Sequence, residues 1–190
     1  MTIARQPRPA VFVDRDGVLN HPVVRNGKPY PPSSASDLRV IDGAAAACST
    51  LRNAGLVVIV VTNQPDIARG RQSRQEVDTI HTELRRVVYV DDVYLCPHDD
   101  ADGCDCRKPA PGMLFTASRD HGLDLSASYM VGDRWRDIAA GQRAGCRTVF
   151  IDWGYDEQRP EHPDVVVPDI TAAAMWICSS LTPREQEADV

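Results

Sequence analysis

The sequence has no apolar run long enough to cross a bilayer. None of its windows reaches the roughly 18 consecutive apolar residues that a membrane-spanning helix needs. The opening residues, MTIARQPRPA, also lack the apolar segment of a secretion signal. We therefore expect a cytoplasmic protein that does not contact a membrane.

An excess of positive charge is also missing. The chain carries a formal net charge of -6, whereas proteins that bind nucleic acid usually present a basic surface to the phosphate backbone. We therefore expect no nucleic-acid partner. No extended apolar patch requires a second subunit, so we expect a monomer that acts on a small molecule.

The chain is too short for two ordinary domains. Its 190 residues, 43% of them hydrophobic, suffice for one well-buried core. We expect a leader over residues 1–9, a single domain over residues 10–181, and a loose tail over residues 182–190, which has little apolar content.

Apolar runs alternate with segments of helical periodicity. Strands are predicted at residues 10–13, LVVIVV, DVYLC, SYMVG, GCRTVFID and DVVV. Helices are predicted between them, with Gly55 ending the first and a Ser73/Glu76 capping box opening the second, whose apolar stripe includes His81. This alternation predicts a Rossmann-like, doubly wound α/β fold with a mainly parallel sheet. Residues 21–40, rich in Pro and Ser, are expected to form an irregular flap.

Three predicted strands end at polar residues that could share one site. Asp14, Thr62 and Asp133 each follow an apolar run, and open α/β sheets bind ligands beyond the carboxyl ends of their strands. In the DRDG motif, Asp14 and Asp16 could divide the roles of nucleophile and general acid/base. A surface turn is the alternative; a calcium loop would need Gly at its sixth position, which is Leu19.

Further residues suit phosphate and magnesium. Thr62 can donate to a phosphate oxygen, and Arg107 and Lys108 can neutralise a phosphoryl group, although an isolated Arg-Lys pair is more often a solvated surface feature. In GDRWRD, Asp133 is a candidate magnesium ligand and Asp137 a supporting carboxylate, or only a stabiliser of the helix that follows.

A second metal site is predicted over residues 96–106. Cys96, His98, Cys104 and Cys106 provide the ligand set of a closed, tetrahedral structural zinc. Cys48, Cys146 and Cys178 stand singly in apolar stretches. The alternative is that the three thiols are buried by chance, but the strong polarity of the 96–106 segment favours a metal.

The motifs VFVDRDGVLN, VVTNQ, CRKP and MVGDRWRD resemble, in order, the four signature motifs of the haloacid dehalogenase superfamily. Within it, TNQPDIARG and CDCRKPAPGM resemble the zinc-loop D-glycero-D-manno-heptose-1,7-bisphosphate 7-phosphatases, while histidinol-phosphate phosphatases share a similar zinc loop. The segment PVVRNGKPYPPSSASDL departs from the Gly-Tyr-Val-His type of segment expected in the heptose branch.

The resemblance implies specific roles. Asp14 would attack phosphorus and Asp16 would act as general acid/base, with Thr62, Arg107 and Lys108 stabilising the phosphoryl group. Magnesium would bind Asp14, the backbone carbonyl of Asp16, and Asp133. It also implies that there is no separate cap domain. The residues after the first motif, together with the zinc loop, would then form the walls of the cleft. The expected substrate-binding residues are Asn20, His21, Pro22, Val23, Asn63, Gln64 and Arg134.

The resulting expectation is a magnesium-dependent phosphomonoesterase that removes the 7-phosphate from heptose 1,7-bisphosphate during synthesis of lipopolysaccharide precursors. A histidinol-phosphate phosphatase is the alternative. A non-catalytic module that binds a phospholigand or a nucleic-acid end ranks last, because Asp16 is present and the chain is acidic.

Overall fold

Six strands form one parallel sheet in the computed structural model, which describes residues 7–181. The expected tail and all but three residues of the expected leader lie outside the described residues. The strands, numbered in chain order, are β1 (Ala10–Val13), β2 (Val23–Arg25), β3 (Lys28–Tyr30), β4 (Val57–Asn63), β5 (Asp92–Cys96), β6 (Tyr129–Gly132), β7 (Arg147–Ile151) and β8 (Val165–Val167). The large sheet has the order β5-β4-β1-β6-β7-β8, and β2 pairs only with β3.

Five helices cover the two faces of this sheet. They are α1 (Ala44–Asn53), α2 (Arg74–Val87), α3 (Gly112–His121), α4 (Trp135–Ala144) and α5 (Ile170–Ser180). Val11 and Val13 share one apolar cluster with α1 and α5, whereas Ala10 and Phe12 share the other with α3. Because both faces are covered, the strands are continuous apolar runs. The predicted doubly wound α/β fold is confirmed.

The helix signals in the sequence have their predicted effects. Gly55 follows α1 with a φ of 87°, a left-handed conformation that glycine adopts without strain. At the start of α2, the Ser73 hydroxyl accepts from the Glu76 N–H at 3.2 Å, and the Glu76 carboxylate accepts from the Ser73 N–H at 2.6 Å. The described residues contain no helix that is both long and apolar enough to span a membrane.

The flap over residues 21–40 is more regular than the sequence analysis predicted. Its first part is an antiparallel hairpin in which Val23 pairs with Tyr30 and Arg25 with Lys28. Asn26 and Gly27 both have positive φ, 50° and 72°, and Asn-Gly is the preferred sequence for such tight turns. The expectation of an irregular segment overlooked this turn signal.

The sheet order determines where the site lies. Strands β4, β1 and β6 are adjacent, so the residues at their carboxyl ends lie side by side. Helix α4, which follows β6, packs closely enough on the sheet that a Cβ at Gly141 would lie 2.6 Å from the Met130 Cβ and 2.9 Å from the Thr148 Cγ2.

Replacing Gly141 with Ala is therefore expected to destabilise the protein. Ala favours a helix by up to about 1 kcal/mol, but overpacking against the rigid Met130 Cβ costs about 1–3 kcal/mol, so we expect a net loss of roughly 1–2 kcal/mol. Urea denaturation measures the free energy of unfolding. The control Ala139→Gly should lose about 1 kcal/mol through helix propensity alone. A Gly141→Ala protein as stable as the wild type would contradict the close packing.

Candidate active site

Four polar residues meet at the carboxyl end of the sheet. Asp14 directly follows β1, Thr62 and Asn63 end β4, and Asp133 directly follows β6. Carboxylate oxygens of Asp14, Asp133 and Asp137 lie within 4.8 Å of one another. The structure thus brings together strand ends that are far apart in the sequence.

Lys108 lies at the centre of this group and is almost completely buried, with 1% of its surface exposed. Its Nζ donates to Asp14 Oδ1 at 2.8 Å and to the Val61 carbonyl at 2.7 Å, and it lies 2.6 Å from Asp137 Oδ1. The Asn63 side chain holds the Lys108 backbone, accepting from its N–H at 3.0 Å and donating to its carbonyl at 2.9 Å. Both polar ends of the lysine are therefore fixed.

Burial and neighbouring charges set the ionisation of the two partners. Burial raises the pKa of Asp14 to about 6, although the Lys108 charge opposes this rise. Burial alone would lower the pKa of Lys108, but the carboxylates of Asp137 and Asp14 outweigh it, so this pKa is raised and the ammonium stays charged. At neutral pH Asp14 is mainly ionised and can act as a nucleophile.

Asp133 is buried beside the Tyr155 hydroxyl, which is close enough to lower its pKa. Within the described residues, neither carboxylate oxygen makes a hydrogen bond of good geometry. Burial, followed by the charges of Asp14 and Asp137, raises its pKa well above the ordinary value. Three buried carboxylates thus face one ammonium, and an oxygen-rich site with excess negative charge fits a hard dication such as Mg²⁺.

Asp137 has a second contact. Besides Lys108, its other oxygen accepts from the Arg134 N–H at 3.0 Å at the start of α4. It therefore belongs to the carboxylate cluster and also stabilises the helix N-terminus, so both alternatives raised by the sequence have a structural basis.

Asp16 points to a different set of donors. Its carboxylate accepts from Arg15 Nε at 3.1 Å, Arg15 Nη2 at 2.8 Å, Asn20 Nδ2 at 3.0 Å and Gln64 Nε2 at 2.8 Å. Burial alone would raise the pKa of Asp16, but the Arg15 charge and these hydrogen bonds outweigh it and lower the pKa. Asp14 and Asp16, two residues apart, therefore have pKa values shifted in opposite directions.

A cleft of about 260 Å³ opens above Asp14, Asp16 and Lys108. Of the residues that the sequence analysis assigned to the substrate, Asn63 and Arg134 line it. Asn20 and Gln64 are fully buried and bind Asp16.

The remaining predicted substrate-binding residues lie elsewhere. His21 and Pro22 line a separate, smaller cavity beside Trp153, and Val23 lines neither space.

The cleft wall contains charged residues that the sequence analysis did not assign. They come from β3, the loops after β4 and β5, the start of α4 and the loop after β7, namely Lys28, Asp66, Arg69, Asp100, Arg136 and Glu157. No strand-end rule marks such positions, because they are distant in sequence and come from loops, a hairpin strand and a helix start. Only the spacing of Arg134 and Arg136 around the start of α4 could have indicated a shared basic wall.

Most of the cationic side chains in the cleft already hold an acid. Arg134 binds Glu157 through two contacts, at 2.6 and 2.8 Å. Arg107 and Arg136 both reach Asp100, at 2.8 and 2.9 Å. These ion pairs fix the planes of the guanidinium groups above Asp14.

The predicted zinc ligands also converge. Donor atoms of Cys96, His98, Cys104 and Cys106 all lie within 4.8 Å of one another. The sulfur atoms are 3.2 to 3.7 Å apart, too far for a disulfide, whereas a tetrahedral zinc with bonds of about 2.3 Å would place them roughly 3.8 Å apart. This geometry is compatible with zinc.

Comparisons with known proteins identify the family of the chain. The HAD-hydrolase-like family model matches residues 105–173. The chain is 37% identical to a D-glycero-D-manno-heptose-1,7-bisphosphate 7-phosphatase of Thermosynechococcus vestitus, over 94% of this chain and 100% of the relative. It is 34% identical to the corresponding Escherichia coli K12 protein, over 94% of this chain and 92% of the relative. The chain belongs to the heptose-1,7-bisphosphate 7-phosphatase family.

Solved structures place this heptose-bisphosphate phosphatase family member in the haloacid dehalogenase fold. A D,D-heptose 1,7-bisphosphate phosphatase from B. bronchiseptica, complexed with magnesium and phosphate, has a TM-score of 0.74 and 29% identity over 90% of this chain and 99% of that one. A putative HAD-like phosphatase from Mesorhizobium loti has a TM-score of 0.76 and 28% identity, over 96% and 91%. The chain is thus an enzyme of the phosphoric monoester hydrolase class.

The Lys108→Met variant is expected to lose about 3–5 kcal/mol of unfolding free energy in metal-free buffer, because it leaves buried carboxylates without their cation. Urea denaturation measures this loss. The control Arg74→Met removes an exposed pair, with side chains 60% and 52% exposed, and should cost no more than about 1 kcal/mol. Equal losses in the two variants would contradict the central role of the buried ammonium.

Proposed function

We propose that this chain removes the 7-phosphate from D-glycero-D-manno-heptose 1,7-bisphosphate through an aspartyl-phosphate on Asp14. The observation that carries the proposal is the position of Asp14 and Lys108 beneath a cleft whose wall carries Arg107, Arg134 and Arg136. A substrate with two phosphates could place one at Asp14 beside Lys108 and Arg107, and the other against Arg134 and Arg136. The names of the family members support this choice of substrate.

The chemistry assigns one step to each aspartate. An oxygen of Asp14 attacks phosphorus, and the bond from phosphorus to the sugar oxygen breaks while Asp16 gives that oxygen a proton. Because the pKa of Asp16 is lowered in the free protein, Asp16 first takes up this proton from the monoanionic phosphate group of the bound substrate. Asp16 then accepts a proton from the water that attacks the aspartyl-phosphate, releasing phosphate. Thr62, Arg107 and Lys108 stabilise the negative charge of the transferring group, which is the main requirement of phosphoryl transfer.

Magnesium fits the carboxylate cluster. Asp14, Asp133 and the backbone carbonyl of Asp16 would hold it, with Asp137 in support. The observation that favours this set is that the buried oxygens of Asp133 make no hydrogen bond of good geometry within the described residues. When bound, Mg²⁺ neutralises phosphoryl oxygens and orients the phosphate.

The substrate contacts are revised from the sequence-based assignment. Asn63 and Arg134 line the cleft and are assigned to the substrate. Asn20 and Gln64 are assigned to Asp16, to which both donate. We assign no substrate contact to His21, Pro22 or Val23, which lie outside this cleft.

Zinc is proposed as a structural ion in the loop over residues 96–106. Cys106 directly precedes Arg107 and Lys108, so a metal held by this loop would fix the backbone that presents both cations to the phosphate. The loop is also tied to the segment after β4 by Arg69, which donates twice to Asp99 at 2.7 Å. In this account the enzyme acts in the cytoplasm, as a monomer, in the synthesis of lipopolysaccharide precursors.

The first experiment is a phosphate-release assay with Mg²⁺ on heptose 1,7-bisphosphate, histidinol phosphate and a set of other sugar phosphates. We expect the bisphosphate to have the highest kcat/KM, and EDTA to abolish turnover. Asp14→Asn should reduce turnover below detection, because an amide is a poor nucleophile.

Each part of the proposal can fail separately in this assay. Full turnover by Asp14→Asn would exclude the aspartyl-phosphate mechanism. Faster turnover of histidinol phosphate would change the substrate and keep the mechanism. An Asp120→Asn variant is the control, because Asp120 lies on α3 away from the cleft and asparagine keeps an oxygen that can accept from the Tyr94 hydroxyl.

The zinc proposal predicts about one zinc per chain after dialysis. Cys104→Ser is expected to lower the zinc content and the melting temperature, while the folded fraction keeps most of its turnover. Atomic absorption and thermal denaturation measure the two effects. Cys178→Ser is the control, because this thiol lies outside the cluster on α5. If zinc-free wild-type protein had the same melting temperature as the zinc-loaded protein, the site would be refuted.

A further inference from the structure

A buried chain of three side chains connects α2 to the active site. The side chain of Arg15, which is 0% exposed, donates to Asp16 through Nε and Nη2. Its remaining terminal nitrogen, Nη1, lies 3.0 Å from Nε2 of His81 on α2. His81 is itself 7% exposed. The sequence analysis counted His81 only as part of the apolar stripe of this helix.

The chemistry of the contact determines the state of His81. A guanidinium carries only donors and stays charged in proteins, so the imidazole Nε2 must accept and must carry no proton. Burial, followed by the nearby Arg15 charge, lowers the pKa of His81 to about 4, which agrees with a neutral ring. His81 is therefore a buried hydrogen-bond acceptor.

The His81 acceptor fixes the guanidinium group of Arg15, which would otherwise be less constrained. The two nitrogens of Arg15 that face Asp16 define the plane of its carboxylate, because a paired donor fork imposes geometry as well as charge. The long arginine side chain has several rotatable bonds, and the contact with His81 holds its far end. Helix α2 gives rigid support, because Val77, Ile80 and Leu84 on the same helix are fully buried.

We propose that His81 is a positioning residue that acts through Arg15 to hold the carboxylate of Asp16 in the orientation for proton transfer. This inference rests on the proposed function, in which Asp16 gives a proton to the leaving oxygen. The contribution of His81 should then depend on the leaving group. A sugar alkoxide is strongly basic and needs the proton, whereas p-nitrophenolate can leave without one.

The test compares the wild type with His81→Leu on heptose 1,7-bisphosphate and on p-nitrophenyl phosphate. The parameter kcat/KM reports the steps up to formation of the aspartyl-phosphate. We expect a loss of about 10- to 100-fold for the sugar substrate, part of the effect of a general acid, and a loss below about 3-fold for the nitrophenyl substrate.

Two variants separate positioning from structural damage. His81→Gln keeps an acceptor oxygen that can reach Arg15 and should recover most of the sugar-phosphate activity. Ile80→Val changes the adjacent, fully buried residue of α2 and should lower the melting temperature without altering the ratio of the two kcat/KM values. An equal loss on both substrates in His81→Leu, an unchanged rate, or no recovery in His81→Gln would each overturn the proposal.

A spectroscopic measurement tests the contact without a variant. The ¹⁵N shifts of the His81 ring in the wild-type protein at neutral pH should identify Nε2 as unprotonated, and a protonated Nε2 would overturn the link to Arg15. The protonation state of the His81 ring also separates this proposal from the proposed phosphatase function. If the wild type hydrolyses neither substrate, the proposed function fails, while the ring state still decides whether His81 accepts from Arg15.

Discussion

The buried ammonium of Lys108 is the interaction on which the site depends. It joins the end of β1, the end of β4 and the start of α4 through Asp14, the Val61 carbonyl and Asp137. Without a cation here, carboxylates gathered by the sheet order would repel one another in a medium that screens charge poorly. Because Lys108 follows the cysteine-rich loop, the conformation of that loop and the ionisation of Asp14 are physically linked.

The same strand tip gives its two aspartates opposite environments. Asp14 is held by one ammonium and has a raised pKa, whereas Asp16 accepts from four donor atoms and has a lowered one. The main chain achieves this through a turn at Gly17, whose φ is 86° and whose carbonyl accepts from Trp153 Nε1 at 2.8 Å. A side chain at Gly17 would collide with Asp133. Two carboxylates only two residues apart therefore differ in their ionisation and in the partners that hold them.

Sequence patterns predicted the features that depend on local or periodic rules. The apolar runs gave the strands, the Ser73 and Glu76 pair gave the start of α2, and the strand-end rule brought Asp14, Thr62 and Asp133 together. The partners of individual side chains could not be predicted in this way. Asn20 and Gln64 were assigned to the substrate, yet both turn inward to Asp16, because such contacts depend on tertiary packing. The fit of His81 to an apolar stripe concealed its contact with Arg15 for the same reason.

Asp100 holds both Arg107 and Arg136 on the cleft wall, at 2.8 and 2.9 Å, although 57% of its own side chain is exposed. A single exposed acid thus sets how two guanidinium groups are presented to a ligand. Exchange of this residue would remove an ion pair from each arginine, although Arg107 would keep its contact with the His98 carbonyl at 3.2 Å. The charge pattern that a ligand meets at this wall can therefore be altered from a solvent-facing position that contacts neither Asp14 nor Lys108.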